Sequence, residues 1–400
     1  MPVRRAYVFR AYPTRPQEGR AVKLRRDHCD LYNAALEERR EAWRMRKAPV
    51  SDGMQSAQLK DIRKADPGGQ GVHSFTAQQQ TLRRLDDAFA AFFERARNAE
   101  RNGGKKPGYP RFKPYLRFRQ VRFVNGDGAK WIPAASGGWA RATFQAVGSL
   151  KIRQHRQIRG TVKALQLKQE HRRWYVIVIA ETEPVPLPAA RREIGVDMGI
   201  ARFLTTSDGE VVDNPRFLAA SADLIADLER RKSRARPGSG NRKRIRRALA
   251  REWRKVRNRR RDFHHKTARI LIDQCDVIAL EDLNIAGMTK RPAPKSDTQN
   301  PGAYLPNQAA AKAGLNKSIL DAARHQFTCI LVGKAEEAAR RVTLVNPAGT
   351  SITCHHCGAR CARQDTVVCP ACGPMDADVN GAINIASRAG LGSGQAAAAA

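Results

Sequence analysis

Three prolines at alternate positions in Glu183-Pro-Val-Pro-Leu-Pro188 interrupt the chain near its middle. A run with so few N–H donors can neither continue a helix nor lie inside a sheet, so it is the clearest boundary between two independently patterned halves. A length of 400 residues leads us to expect two or three domains.

In the first half, residues 3–12 alternate through Val3, Ala6, Val8 and Ala11 and read as a strand. Thr14 and Gln17 form a capping box with Pro16 in the first turn, which predicts a helix over about 14–46. Polar, Gly-rich sequence from Ser51 to Gly71 reads as a loop. A second helix over about 76–101 carries Leu82, Leu85, Phe89 and Phe92 and stops at Asn102-Gly103-Gly104. From Tyr109 to Thr182 the period is two, with turns at Asn125-Gly126, Gly137-Gly138 and Gly160, which predicts a small β-barrel or sheet.

The second half alternates short strands with long helices, the pattern of an α/β core. Strands are expected at 193–198, 277–280 and 342–345, with a hairpin around Ser207-Asp208-Gly209. Helices are expected at 217–235, 241–273 and 316–340, with a loop over 287–314 and a last helix from near Asp378. The Gly/Ala tail 390–400 reads as disordered. The expected domains are thus 1–188, 189–350, 351–374, 375–389 and the tail, and the fold class is α/β plus α+β.

Lys and Arg number 73 against 38 Asp and Glu, a net charge of +35. Arg101–Gly160 holds 14 basic residues and one acid, and Arg230–Arg269 holds 19 against two. Such runs repel themselves unless a polyanion neutralises them, so nucleic acid is the expected partner. Arg111-Phe-Lys-Pro-Tyr-Leu-Arg-Phe-Arg-Gln-Val-Arg-Phe123 interleaves cations with rings that could stack bases; an ordinary strand with Phe118 and Val121 in a core explains it equally well. The longest apolar run, Tyr175–Ala180, is far short of a membrane span, and no secretory signal is visible, so a cytosolic, cytoplasmic location is expected.

Cys354-x₂-Cys357 and Cys369-x₂-Cys372, with eleven residues between the pairs, can close a tetrahedral Zn²⁺ site of structural kind. Cys361 lies between them as a free thiol, and His355 and His356 are weaker substitutes for a lost ligand. Cys29, Cys275 and Cys329 read as inert core thiols.

Three acids stand out. Asp197 lies among Ile194-Gly-Val-Asp-Met-Gly-Ile200, Glu281 closes the apolar Val277–Leu280, and Asp378 opens an amphipathic helix. Buried carboxylates need compensation, and three together in so basic a chain suggest a divalent metal site, two Mg²⁺ ions suiting the hard oxygens. The plainer alternatives are that Asp378 or Asp376 caps a helix and that Glu281 pairs with an arginine.

In these motifs the sequence resembles the TnpB proteins, transposon-encoded RNA-guided nucleases with a RuvC-like, RNase H-type core. Gly195-Val-Asp-Met-Gly199, Glu281-Asp-Leu-Asn-Ile-Ala-Gly-Met288 and Asp376-Ala-Asp-Val-Asn-Gly-Ala-Ile-Asn-Ile385 look like the three RuvC motifs. Leu315-Asn-Lys-Ser-Ile-Leu-Asp-Ala322, Pro107-Gly-Tyr-Pro-Arg-Phe-Lys113 and Ala6-Tyr-Val-Phe-Arg-Ala-Tyr-Pro13 match elsewhere. The resemblance implies Asp197, Glu281 and Asp378 as catalytic Mg ligands, and a zinc-ribbon-type element inserted before the last motif. It further implies a β-barrel wedge with a helical recognition lobe, and a guide RNA transcribed near the gene. The target would be double-stranded DNA with a short adjacent motif, bound by a monomer or homodimer. Helices over 230–269 would line the heteroduplex channel. Two departures are Gly381, where the family usually has Ala, and Ala348-Gly349 in place of an aromatic-containing pair. The alternatives are a catalytically silent RNA-guided repressor, or an unguided RuvC-type nuclease or transposase accessory protein.

Overall fold

The structure, a computed structural model, describes residues 2–101, 107–135, 138–300, 302–362 and 366–391. The helix stop expected at 102–104, half of the turn at 137–138 and nearly all of the tail fall outside these. The chain divides into two compact units, Met1–Glu183 and Pro184–Ala400.

In the first unit, strand β1 (Val3–Tyr12) is followed by helices α1 (Arg15–Arg46), α2 (Asp52–Ala65) and α3 (Phe75–Arg101). Strands β2 (Gln120–Asn125), β3 (Gly128–Ile132), β4 (Gly138–Phe144), β5 (Gly148–Gln154), β6 (Thr161–Glu170) and β7 (Arg173–Thr182) close a barrel with β1, in the order β1-β5-β4-β3-β2-β6-β7. Trp174, Val176, Val178 and Ala180 of β7 face its interior. On β1 the inward residues are Tyr7, Phe9 and Ala11, while Ala6 is exposed. The rings, which bury far more apolar area, decide the register. The capping box at Thr14 and Gln17 is formed. The loop expected over 51–71 is instead mostly α2: Ser51 accepts from the Met54 N–H as its N-cap, and only Gln55 and Leu59 are buried. So narrow a stripe leaves little hydrophobic periodicity to read.

In the second unit, β8 (Glu193–Asp197), β9 (Arg202–Thr206) and β10 (Val211–Asp213) form an antiparallel run. Helices α4 (Ala222–Arg234) and α5 (Gly240–Gln274) precede β11 (Val277–Glu281). Next come α6 (Ile285–Met288), the short pair β12 (Lys295–Ser296) and β13 (Tyr304–Leu305), α7 (Ala309–Ala322), α8 (Arg324–Glu337) and β14 (Arg341–Val345). Strands β15 (Thr366–Cys369) and β16 (Gly373–Asp376) make a separate hairpin before α9 (Ala377–Arg388). The five-stranded sheet runs β10-β9-β8-β11-β14, with β11 parallel to both β8 and β14. The single helix expected over 316–340 starts earlier, at the alanines from 309, and breaks at Ala323, which has φ 49°. The Pro-rich segment is strapped down: Val185 and Leu187 N–H groups donate to Glu337 O and Ala338 O at 2.9 and 3.3 Å.

The two faces of this sheet are covered differently. Ile194, Val196, Ile278 and Leu280 pack with Leu271 and Ile272 of α5 and Phe327 and Leu331 of α8. Val277, Ala279 and Val345 pack with Ile385 and Ala386 of α9. No helix among the described residues is long and apolar enough to cross a membrane.

Candidate active site and metal centre

Because side chains alternate along a strand, residues 195 and 197 of β8 and 277, 279 and 281 of β11 share the face that α9 covers. Leu280 pairs with Val196, so the next row sets Glu281 beside Asp197 at the ends of neighbouring parallel strands. The approach of α9 depends on glycine. A Cβ on Gly195 would lie 2.0 Å from Ala382 O and 2.6 Å from Ala386 N. One on Gly381 would lie 3.2 Å from Asp197 Oδ2. Asp378 lies one turn before Gly381, in the first turn of the same helix, with Arg202 Nη1 3.5 Å from its Oδ2.

Glu281 is 8% exposed. Its Oε1 lies against the Thr350 hydroxyl, which is also 3.0 Å from Pro347 O. That threonine is fixed by α9 itself, since Asn384 Nδ2 donates to Thr350 O at 2.9 Å and to Thr353 O at 2.6 Å. The fully buried Asn380 donates to Thr353 O at 2.9 Å, and its Oδ1 accepts from the N–H and Nδ1 of His355 at 2.9 and 3.0 Å. A polar lattice thus joins helix α9, the segment 350–355 and Glu281.

Asp376 and Asp378 divide their work. Asp376 Oδ1 accepts from Asp378 N and Val379 N at 3.0 and 3.1 Å, so it is the N-cap of α9. Arg202 Nη1 lies 2.8 Å from Asp376 Oδ2 and 3.5 Å from Asp378 Oδ2. This arginine and the Arg202-independent cap hold the Asp376 carboxyl below its ordinary range against a desolvation that opposes them. Asp378 is a first-turn residue rather than the cap. Nothing in the linear sequence marks a role for Arg202, Thr350, Asn380 or Asn384, because each acts through a partner remote in the chain.

The cysteines form the tighter cluster. The sulfurs of Cys354, Cys357, Cys369 and Cys372 all lie within 4.8 Å of one another, and Cys357 and Cys369 are 3.4 Å apart. Two thiolates bound to one tetrahedral Zn²⁺ lie about 3.8 Å apart, so the four fit zinc. The Ala371 N–H is the main influence that draws the Cys369 thiol down to about 6, while hydrogen bonding with Cys357 is the main one that pushes Cys372 up to about 12. Cys361 is buried beside them but directs its Sγ to Ala359 O at 3.6 Å. His355 is engaged by Asn380 and does not join the four. Among the described residues, Asp197, Glu281 and Asp378 do not form a comparably tight cluster.

One expectation changes. Cys29 and Cys275 are buried, and burial pushes the Cys275 thiol up to about 11, but Cys329 is exposed with its Sγ 3.6 Å from His325 Nε2. The buried stripe of α8 runs through Phe327, Leu331 and Ala335, and Cys329 lies off it. In the cation-rich segment Phe118, Val121 and Phe123 belong to the core, with Arg84 over the Phe118 ring at 4.7 Å. The exposed ring pair on the barrel is Tyr12 and Trp139, edge to face at 5.4 Å, with Lys151 at 4.2 Å and Arg153 at 5.6 Å from the Trp139 centroid. The two rings come from β1 and β4 and the two cations from β5.

Residues 176–292, spanning Asp197 and Glu281, match the OrfB_IS605 family, described as "Probable transposase". Residues 325–385, spanning the cysteines and Asp378, match the Cas12f1-like TNB domain. "Putative RNA-guided DNA endonuclease InsQ" of Escherichia coli K12 is 30% identical over 77% of this chain and 72% of its own length. The chain belongs to the TnpB family. A "Putative RNA-guided DNA endonuclease" of Streptomyces pristinaespiralis is 31% identical over 72% of this chain and 69% of its own length. In fold, the chain is similar to Cas12f1 as seen in its complex with sgRNA and target DNA. The TM-score is 0.57 at 12% identity, covering 96% of this chain and 98% of that one.

Proposed function

We propose that this TnpB-family chain is a guide-RNA-directed, Mg²⁺-dependent DNA endonuclease whose RuvC-like centre is Asp197, Glu281 and Asp378. The observation that supports the reading is that Asp197 and Glu281 end adjacent parallel strands on the face covered by α9, the helix that carries Asp378 in its first turn. The sheet order, three antiparallel strands continued by two parallel ones, suits an RNase H-type core. The names of the two bacterial relatives support guidance by RNA and action on DNA.

The donors fit the metal: three hard carboxylates, one of them 8% exposed and in need of positive charge. When bound, Mg²⁺ supplies the Lewis acidity that phosphodiester hydrolysis requires. The chain's own contribution is positional. Thr350 sets the rotamer of Glu281, the bare backbone at Gly381 leaves room for the Asp197 carboxylate, and Arg202 holds Asp376 and approaches Asp378. The four-cysteine element has every ligand position filled by protein, so its zinc would brace the segment that presents Thr350 and α9 rather than act on substrate.

The test begins with RNA. Protein purified from cells carrying the native flanking DNA is expected to bring down one discrete RNA ending in a variable segment. Loaded with that RNA, the wild type should cut matched DNA in Mg²⁺, and Asp197→Ala should bind without cutting. Heterogeneous RNA would defeat guidance, and undiminished cutting by the variant would defeat the site.

A further inference from the structure

A second site lies away from the carboxylates, in a cleft of about 770 Å³ between the basic helix α5, helix α7 and the segment at 291–292. Its apolar lining includes Trp253 of α5 and Ala313 and Leu320 of α7, with Trp253 43% and Leu320 56% exposed. Arg291 and Lys317, both exposed, are on its wall. The walls are braced from behind. Asp321 takes Arg260 Nη2 at 2.7 Å and the Leu218 N–H at 2.9 Å. Asn316 Nδ2 donates to Thr289 O at 2.9 Å, and Lys312 Nζ donates to Met288 O at 2.7 Å. The opening therefore does not depend on a loop holding its own shape.

We infer that this cleft receives one unpaired nucleobase, stacked on Trp253, while its phosphates lie along the cations of α5. The volume suits a nucleotide. An exposed indole beside aliphatic walls offers what a base face needs, and such stacking tolerates any base. The surroundings select the partner: α5 carries fourteen Lys and Arg against three acids in 35 residues, so an apolar protein segment would need matching acids to approach. Exposed Arg246 and Arg257, seven before and four after Trp253, share its side of the helix. The inference rests on the chain's acting on nucleic acid, as proposed above, but does not need the carboxylates.

The test uses the full chain with two photoreactive probes, a dT20 DNA containing 5-iododeoxyuridine and an rU20 RNA containing 5-iodouridine. Irradiation is expected to crosslink Trp253, mapped by mass spectrometry, and the probe that crosslinks identifies the strand type. Trp253→Ala should weaken binding of that probe about tenfold, and Trp253→Phe should restore most of it. Ala313→Trp, which fills the cleft from an exposed position and removes no cation, should match the alanine variant. Thermal melts of all three keep folding separate from binding. Crosslinks elsewhere, together with unchanged binding by Trp253→Ala and Ala313→Trp, would overturn the inference. Normal crosslinking alongside cutting by Asp197→Ala would overturn only the nuclease centre.

Discussion

Helix α9 backs onto Asp197 so closely that a Cβ added at Gly381 would lie 3.2 Å from Asp197 Oδ2. The neighbour there is the mobile end of a side chain, which can give by a few tenths of an ångström. Gly381→Ala should therefore gain about 1 kcal/mol from helix propensity and keep cleavage within tenfold of wild type. Gly381→Leu should displace the carboxylate and abolish cutting. Gly195→Ala meets backbone at 2.0 Å instead, so it should lower the melting temperature and activity together. Melting curves beside cleavage rates separate the three.

The Thr350 hydroxyl donates to the buried carboxylate of Glu281. Removing a hydrogen bond to a buried charge costs about 2 kcal/mol, so Thr350→Ala should lower stability by that order and cut activity at least tenfold. Thr350→Ser keeps the hydroxyl and should retain both. Equal cleavage by the alanine variant would show that Glu281 is held by other means.

The neighbouring acids of α9 should separate cleanly. Asp376→Ala loses an N-cap, about 1 kcal/mol, and should keep measurable cleavage. Asp378→Asn should melt like the wild type and cut nothing. The reverse pattern would exchange their roles.

Zinc should be bound at one ion per chain, measured by elemental mass spectrometry. Cys372→Ser or prolonged chelation should remove it and expose the hairpin Thr366–Asp376 to proteolysis, whereas Cys361→Ser should retain the metal. Retention of full zinc by Cys372→Ser would contradict the ligand set.

Acid should destabilise the fold below pH 6.5. Burial, the largest influence on each, lowers His28 to about 3 and His264 to about 4, so the native state keeps both neutral. Their contribution is full above the unfolded value of 6.5 and is lost as the unfolded chain takes up protons on acidification, until the native groups titrate. Each should cost about 2 kcal/mol between pH 8 and pH 5. Urea midpoints should fall accordingly, and the fall should shrink in His264→Gln.

Local chemistry carried much of this in the linear chain. The Thr14–Gln17 capping box, the period of β7, the strand Val277–Glu281 and the cysteine spacing are written in neighbouring residues, where steric and hydrogen-bonding preferences act at short range. Asp197 and Glu281 were conspicuous too, each a charge at the end of an apolar strand, whereas Asp378 stood out only as opening an amphipathic helix. What waited on tertiary structure was everything that depends on a distant partner. Helix α2 buries too narrow a stripe to announce itself, and the outward turn of Cys329 follows from which side of α8 packs. Thr350 reaches Glu281, Arg202 reaches Asp376 and Gly381 meets Asp197 only after the sheet has set its strand order and α9 has closed over one face. Those contacts join residues scores of positions apart, and only the packed fold sets their distances.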